Sequence, residues 1–401
     1  MTAKPTNNDT TIVETPYYDV STRPTHTPAL RFPDFRNDGE WEVKRLGEIC
    51  IVNPPSKDVP NEFNYLDLES VVAGRIIGCN RIKREDAPSR AQRLVQKYDV
   101  LFQMVRPYQQ NNLYFLLEDG QYVASTGYAV LRAKEGVSDS GYLYHLVHSK
   151  DFLSQVLQRC TGSNYPAINS SSLEDICIPL PPLAEQRRIA EALTALDELI
   201  AATNQKLEQM KAYKKGLMQR LFVSNTPPHK LLIINNIRIQ KLRFPEFKDE
   251  KEWEERKLGE IIVTITPKKK MQTSEYRMEG KYPIIDQSQS YICGYCDEDE
   301  ALINSYSDKI IVFGDHTCIL KFVDFPFVQG ADGIKVLKSY NSNEIDEQFV
   351  YQFLLCYPIV SNEYKRHFSE LKERVVCFPK DVNEQRKIAS CLSSVDDTIN
   401  A

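Results

Sequence analysis

The chain has 401 residues, 42% hydrophobic, 26% charged and 10% aromatic, enough to bury substantial cores and unlike a disordered chain. At roughly 100 to 200 residues per domain this length predicts two or three domains. A formal net charge of -5 argues against wholesale electrostatic wrapping of nucleic acid, so any DNA contact must be local. Ten cysteines without a paired framework read as reduced thiols. No apolar run reaches the roughly 18 to 20 residues of a membrane-spanning helix, and residues 1–28 carry no leader pattern. The expectation is a cytoplasmic chain, with a mobile Thr/Pro/Asn-rich tail over 1–28.

A first lobe is expected over 29–180. It opens on LRFPDFRNDGEWEVKRLGEI at Leu30–Ile49. Runs such as Val100–Val105 and Tyr122–Arg132 predict strands, and Tyr142–Gln158 predicts a helix; their order in a sheet is not legible. Arg75, Lys83, Arg84, Arg90, Arg93 and Lys97 gather positive charge ahead of 100–105, and Arg106, Tyr108, Gln109 and Gln110 follow it. Arg pairs bidentately with guanine and Gln with adenine in the major groove, whereas Lys mainly meets phosphate. Arg75, Lys83, Arg84, Arg106, Tyr108, Gln109 and Gln110 are therefore candidate DNA contacts, with solvated surface charge as the alternative. The polar loop Thr161–Asn169, TGSNYPAIN, adds Ser163, Asn164 and Tyr165.

Leu183–Phe222 carries the strongest helical signal, launched by Pro181 and Pro182 with Glu185 in the first turn, where a carboxylate favours the helix dipole. Its seam is Ile189, Leu193, Leu196, Ile200, Thr203, Leu207, Met210, Lys214, Leu217 and Leu221, eight of ten apolar at heptad spacing. A helix of roughly 60 Å over 181–223 needs a partner. A linker over 224–240 follows.

The chain then repeats itself. Leu242–Ile261, LRFPEFKDEKEWEERKLGEI, matches Leu30–Ile49 at an offset of 212 with 12 identities in 20. Asp99, Val100 and Leu101 are paired with Asp308, Lys309 and Ile310, then Gly127, Val130 and Leu131 with Gly333, Val336 and Leu337. Asp139, Tyr142 and Tyr144 follow with Asp346, Phe349 and Tyr351, and Glu185–Ala202 with Glu384–Ala401 at an offset of 199. A second lobe is thus expected over 241–378, with a strand at Lys309–Asp315 and a helix at Gln348–Phe368. Its candidate DNA contacts are Lys268, Lys269, Lys270, Gln287 within the polar run Asp286–Ser290, His316 and Thr317.

Residues 379–401 read as the start of a second, shortened helix, with Ile388, Leu392, Val395 and Ile399 equivalent to Ile189, Leu193, Leu196 and Ile200. The fold class is mixed α/β. Two similar lobes are separated by long helices pairing as an antiparallel coiled coil, which relates the lobes by an approximate two-fold axis. With the second helix short, Leu207, Met210, Leu217 and Leu221 are expected to lack internal counterparts.

Catalytic equipment is sparse. Asn53, Pro54 and Pro55 resemble the Asn-Pro-Pro-aromatic motif of amino-methylating enzymes, but Ser56 stands where a ring would hold a flipped base. The sequence has no Gly-rich turn for a dinucleotide or methyl donor and no Walker loop. Carboxylate pairs such as Glu85 with Asp86 read as solvated charge. Cys293 and Cys296 form a C-x-x-C with His316 and Cys318 downstream, open to zinc or to ordinary packing; no metal site is assigned. His145 and His148 read as structural or exposed. The residues leave three functions standing: a non-catalytic DNA reader, a self-sufficient DNA methyltransferase or nuclease, and a coiled-coil scaffold that never meets DNA.

The repeated LRFP(D/E)F, E-W-E and L-G-E-I elements, with PLPPLAEQRRIA before a long helix, resemble the specificity subunit of type I restriction and modification systems. The resemblance covers nearly everything after Leu30, and STGYAVLRA and GDHTCILKFVDFPF are similar to its target-recognition domains. It implies that the lobes each read half of a split double-stranded DNA site and that the helices act as a ruler. The same helices would dock two adenine-methylating subunits, which restriction (motor and nuclease) subunits then join. It further implies a chain without catalytic residues or cofactors of its own. S-adenosylmethionine, ATP and magnesium would then belong to the partner subunits, and no membrane is involved.

Overall fold

The computed structural model describes residues 28 and 30–401, apart from 56–58, 119–120, 223–232, 235–236, 239–241, 251–252, 304–308, 331–332 and 360–364. The expected tail, except residue 28, most of the expected linker, Ser56 and Asp308 lie outside the described residues. The chain divides into two compact units, Met1–Ala201 and Ala202–Ala401.

The first unit runs β1 (Glu42–Arg45), α1 (Leu46–Ile49), β2 (Cys50–Val52), β3 (Glu62–Leu66), a short hairpin β4 and β5 (Val71–Val72, Arg75–Ile76), β6 (Asn80–Lys83), β7 (Ala91–Val95) and β8 (Val100–Gln103). After these come β9 (Leu113–Tyr114), β10 (Tyr122–Ser125), β11 (Tyr128–Ala133), α2 (Ser140–Leu146), α3 (Lys150–Arg159), α4 (Ser170–Glu174), β12 (Cys177–Leu180) and α5 (Leu183–Leu221), which continues into the second unit. The second unit then has β13 (Ile233–Ile234), β14 (Ile237–Arg238), β15 (Glu254–Lys257), α6 (Leu258–Ile261), β16 (Ile262–Ile265), β17 (Tyr282–Ile285), β18 (Gly294–Cys296) and β19 (Leu302–Ile303). It closes with β20 (Ile310–Gly314), β21 (Leu320–Val323), β22 (Phe327–Gln329), β23 (Ile334–Ser339), α7 (Glu347–Cys356), α8 (Phe368–Lys372), β24 (Val375–Phe378) and α9 (Val382–Asn400).

Strand order is the same in both. The first unit has sheets β6-β3-β10-β7 and β2-β11-β8-β9 with the small pair β1-β12; the second has β18-β17-β22-β19 and β16-β23-β20-β21 with β15-β24. The parallel pairing falls at the same place, β3 with β10 and β17 with β22. One core lies between the two larger sheets, with Leu66, Leu101, Tyr128 and Val130, and the other between a sheet and the helices, with Phe102, Leu131, Leu143 and Phe152. The central strands are therefore buried on both faces, which is why they read as apolar runs rather than as clean alternation.

The repeated motifs have a shared structural task. Arg31 clamps Glu185 of α5 through two hydrogen bonds of 2.8 and 2.6 Å, and Trp41 Nε1 donates to the same carboxylate at 3.1 Å. In the second unit Arg243 makes the same pair of bonds to Glu384 of α9, both 2.8 Å, and Trp253 adds a donor at 3.4 Å. The next residue is also conscripted. Gln186 donates to Val137 O and Pro181 O and accepts from Asp139 N–H; Gln385 donates to Glu344 O and Pro379 O and accepts from Asp346 N–H. Asp139 and Asp346 in turn cap α2 and α7. Glu185 is thus held by a cation and an indole, beyond the favourable helix dipole.

Four expectations are corrected. Tyr142–Gln158 is two helices: the first ends at Leu146, and Ser149 opens α3 by capping it through Phe152 N–H; in the second unit α7 ends at Cys356 and α8 begins only at Phe368. Tyr122–Arg132 breaks at Thr126 and Gly127 into two strands of different sheets. The strand equivalence slips by two residues: Leu131 faces Val100 while Leu337 faces Ile311, so Val100 matches Ile311 and not Lys309. A two-residue shift leaves the same face inward, so the hydrophobic pattern cannot detect it. Finally, Leu217 and Leu221 do have partners. The end of α5 belongs to the second unit, where Met218 and Leu221, with Leu217 against them, share a core with Ile388 and Leu392, and Lys214 pairs with Asp396 at 2.6 Å.

Of the other seam positions, Ile189 packs on the first unit's core, Val395 is buried, and Leu207, Met210 and Ile399 are half-buried. Leu193, Leu196 and Ile200 are exposed, together with Leu199.

Candidate nucleic-acid interface

In the first unit the candidates after β8 and those of Thr161–Asn169 come together. Val105 bridges Ala167, Thr161 bridges Ala167, and Arg106 N–H donates to Pro166 O at 2.7 Å. These bonds bring the Arg106 guanidinium over the Tyr165 ring, 4.3 Å from its centroid. Ser163, Asn164 and Tyr165 stand exposed on a tight loop begun by Gly162 at φ +93°, and Tyr108 and Gln109 are exposed opposite them in sequence.

A buried residue without any obvious sequence signal supports this cluster. Gln103 is 1% exposed; its side-chain amide donates to Val105 O and Gln109 Oε1 and accepts from Asn111 N–H. Its own N–H donates to Asn112 Oδ1, and Asn112 is equally buried. Arg106 and Gln110, at φ +53° and +52°, flank the turn Pro107–Gln109. Left-handed backbone at two non-glycine residues persists only where surroundings over-determine it.

The remaining basic candidates behave differently. Arg75 is exposed on the β4–β5 hairpin. Lys83 and Arg84 line a mixed groove with Asn61, Glu62 and Glu85, where Lys83 lies 3.7 Å from Glu85 and Arg84 donates to Val59 O. Lys97 is paired with Glu118, which raises its pKa, and Arg93 is half-buried, which lowers its own. Among the described residues no bond links these groups to the Arg106 cluster.

In the second unit Gln287, His316 and Thr317 come together: Thr317 Oγ1 donates to Gln287 O, and the half-buried His316 adjoins it. The run Asp286–Ser290 is anchored by Lys321, 4% exposed, whose ammonium donates to Asp286 O and Ser290 O; burial lowers its pKa. Lys268, Lys269 and Lys270 are exposed in the segment after β16, and Lys269 is paired with Glu298 at 2.8 Å.

The motifs weighed for chemistry are built into the scaffold. Asn53 accepts from Val130 N–H and donates to Ser170 Oγ, tying β11 to α4. Cys293 donates to Asp286 Oδ1, whereas Cys296 is buried beside Met271 and Ile284. His145 meets Thr194, and His148 meets Tyr144 O and Asn112. No helix among the described residues is long and apolar enough to cross a membrane.

Two α/β units with one shared frame and unlike loops define a tandem recognition protein. The chain belongs to the type I restriction modification DNA specificity domain family, which matches residues 38–212 and again 250–401. It is similar to the type I restriction enzyme MjaVIII specificity subunit of Methanocaldococcus jannaschii, 26% identical over 411 residues, covering 92% of this chain and 88% of that protein. The MjaIX specificity subunit of the same organism is 24% identical over 297 residues, covering 68% of this chain and 66% of that protein. Among solved structures, the type I restriction-modification system S subunit from M. genitalium shares the fold, with a TM-score of 0.63 at 17% identity over 94% of this chain and 93% of that one.

Proposed function

We propose that this chain is the non-catalytic DNA-reading subunit of a type I restriction-modification complex. The observation that carries the reading is duplication: one frame, built twice with the same Arg–Trp–Glu clasp, presents two unlike loop clusters. Each cluster reads one half of a bipartite duplex site, the first through Arg106, Tyr108, Gln109, Gln110, Ser163, Asn164 and Tyr165, with Arg75, Lys83 and Arg84 on phosphates. The second reads through Gln287, His316 and Thr317, with Lys268, Lys269 and Lys270 on the backbone. Expected domain limits are 29–180 and 241–378 for the readers, with 181–223 as spacer.

Methyl transfer and cleavage belong to partners: two methyltransferase subunits, and restriction subunits that use ATP and magnesium. The exposed Leu193, Leu196, Leu199 and Ile200 offer an apolar stripe for such a partner. Leu193→Asp with Leu196→Asp should leave the chain folded, because both are exposed, and release co-purifying methyltransferase in analytical ultracentrifugation; unchanged assembly removes this role.

Binding measured across salt tests the main reading. Phosphate contacts make affinity fall steeply between 50 and 200 mM salt; a flat response excludes DNA contact, and methyl transfer by the purified chain alone excludes the non-catalytic assignment. Exchanging residues 100–170 for those of another family member should change one half of the methylated site only.

A further inference from the structure

We infer that Arg106 reads a guanine in the first unit's half-site, and that Gln103 is the positioning residue that sets Arg106 for the task; this rests on the reading of the chain as a DNA specificity protein. The guanidinium carbon lies over the Tyr165 ring, 4.3 Å from its centroid. A guanidinium seated over one aromatic ring has a face covered and keeps its N–H edge for bonding, and that edge matches the paired O6 and N7 acceptors of guanine in the major groove. Among the described residues no carboxylate pairs with Arg106, in contrast to Arg81, Lys83, Lys97 and Lys269, each of which has an acidic partner. A cation seated on an aromatic ring without a counter-ion is equipped to discriminate bases; a neutralised one on a flexible stem is suited to phosphate.

The turn that carries Arg106 is held from beneath. Val105 O and Gln109 Oε1 receive the two amide hydrogens of Gln103 at 2.8 and 2.9 Å, and Asn111 N–H is held by its oxygen at 3.1 Å. Those bonds span the whole turn between the two left-handed residues, Arg106 and Gln110. Pro166 O, 2.7 Å from Arg106 N, fastens the turn to the loop that carries Tyr165. A leucine at 103 fills similar volume but makes none of these bonds, so the turn relaxes and the stack is lost while the strand stays packed. Gln103 never touches DNA; it acts through Arg106.

The test is enrichment from a random duplex library by the full chain, with any co-purifying subunits retained, as wild type, Arg106→Ala, Arg106→Lys, Tyr165→Phe, Tyr165→Ala and Gln103→Leu. Wild type should enrich a bipartite motif in which one half has a G·C pair. Arg106→Ala and Arg106→Lys should lower the preference at that pair by roughly 5- to 150-fold, the worth of one bidentate contact. The other half should be untouched, and Arg106→Lys should keep its salt-dependent general affinity. Tyr165→Phe, which keeps the ring, should retain more of the preference at that pair than Tyr165→Ala; Tyr165→Ala and Gln103→Leu lose it. An unchanged motif in Arg106→Ala overturns the inference and leaves the DNA reading intact, and so does a fall in general affinity alone, the mark of a phosphate contact. If wild type enriches no motif, both fall. If Gln103→Leu, shown folded by circular dichroism, retains the preference, Gln103 loses its role. Should that variant fail to fold, the Tyr165 pair decides the positioning argument.

Discussion

The loop after the central strand differs between the units in length and in what lies beneath it. In the first, residues 104–112 separate β8 from β9, and the buried Gln103 holds the turn from inside. In the second, residues 315–319 separate β20 from β21, and the register puts Gly314 where Gln103 stands. A Cβ at Gly314 would sit 2.3 Å from Thr317 Oγ1 and 3.0 Å from Gln287 Cβ, so glycine there makes room for a tight turn. The second unit moves its buried polar support to Lys321, under Asp286–Ser290. Around these unlike loops the clasps are the same residue for residue. The polar clasp recurs because its groups are buried and mutually satisfied, whereas the loops differ because each rests on buried polar anchors of its own, Gln103 and Asn112 in one and Lys321 in the other.

That contrast can be broken most directly at the frame. Gln186→Leu or Gln385→Leu strips partners from two carbonyls and one N–H beside a fully buried side chain. Each should cost about 2–4 kcal/mol, from the penalty of about 1–3 kcal/mol for an unsatisfied buried group, read as the urea midpoint of the full chain. Similar losses for both sharpen the comparison; a unit indifferent to its glutamine breaks it. The helix caps come next. Asp139→Ala and Asp346→Ala should each lose about 1 kcal/mol, again nearly equal.

The smallest effect at neutral pH concerns a place where the frames differ. Cys50 in the first unit corresponds to Ile262 in the second, and burial pushes its thiol up to about 12. An unfolded thiol titrates near 9, so the neutral buried form contributes stability that is complete below pH 9 and drains away as pH rises toward 12. Cys50→Val should leave the urea midpoint nearly unchanged at pH 7.5 and raise it relative to wild type at pH 10. An unchanged difference at the two pH values shows that the thiol ionises freely in the folded chain.

The repeat, the mixed α/β class and the span of α5 were legible because they rest on identities and periodicity, which local sequence records. Strand order was not, since it depends on pairings between segments far apart, β3 with β10 for example. The two-residue slip between Val100 and Ile311 was invisible for the opposite reason: both alignments satisfy the same alternation. Within the candidate site, Arg106, Gln109 and Tyr165 stood out as chemistry suited to bases. Gln103 and Lys321 did not, because a polar residue in an apolar strand looks like an interruption until its partners are known. In the sequence Glu185 answers only to the helix dipole, because its cation, Arg31, lies 154 residues earlier.

The clasp has a mechanical consequence. Each unit takes in its chain through β1 or β15 and releases it through β12 or β24, and these neighbours form a two-stranded sheet of their own. Tension entering along the helix that follows pulls on paired ends of that antiparallel ribbon, Glu42 with Leu180 or Glu254 with Phe378, and so peels it open bond by bond, with the arginine–glutamate pair the first contact to resist. The larger sheets, with every loop they display, hang outside the line of force.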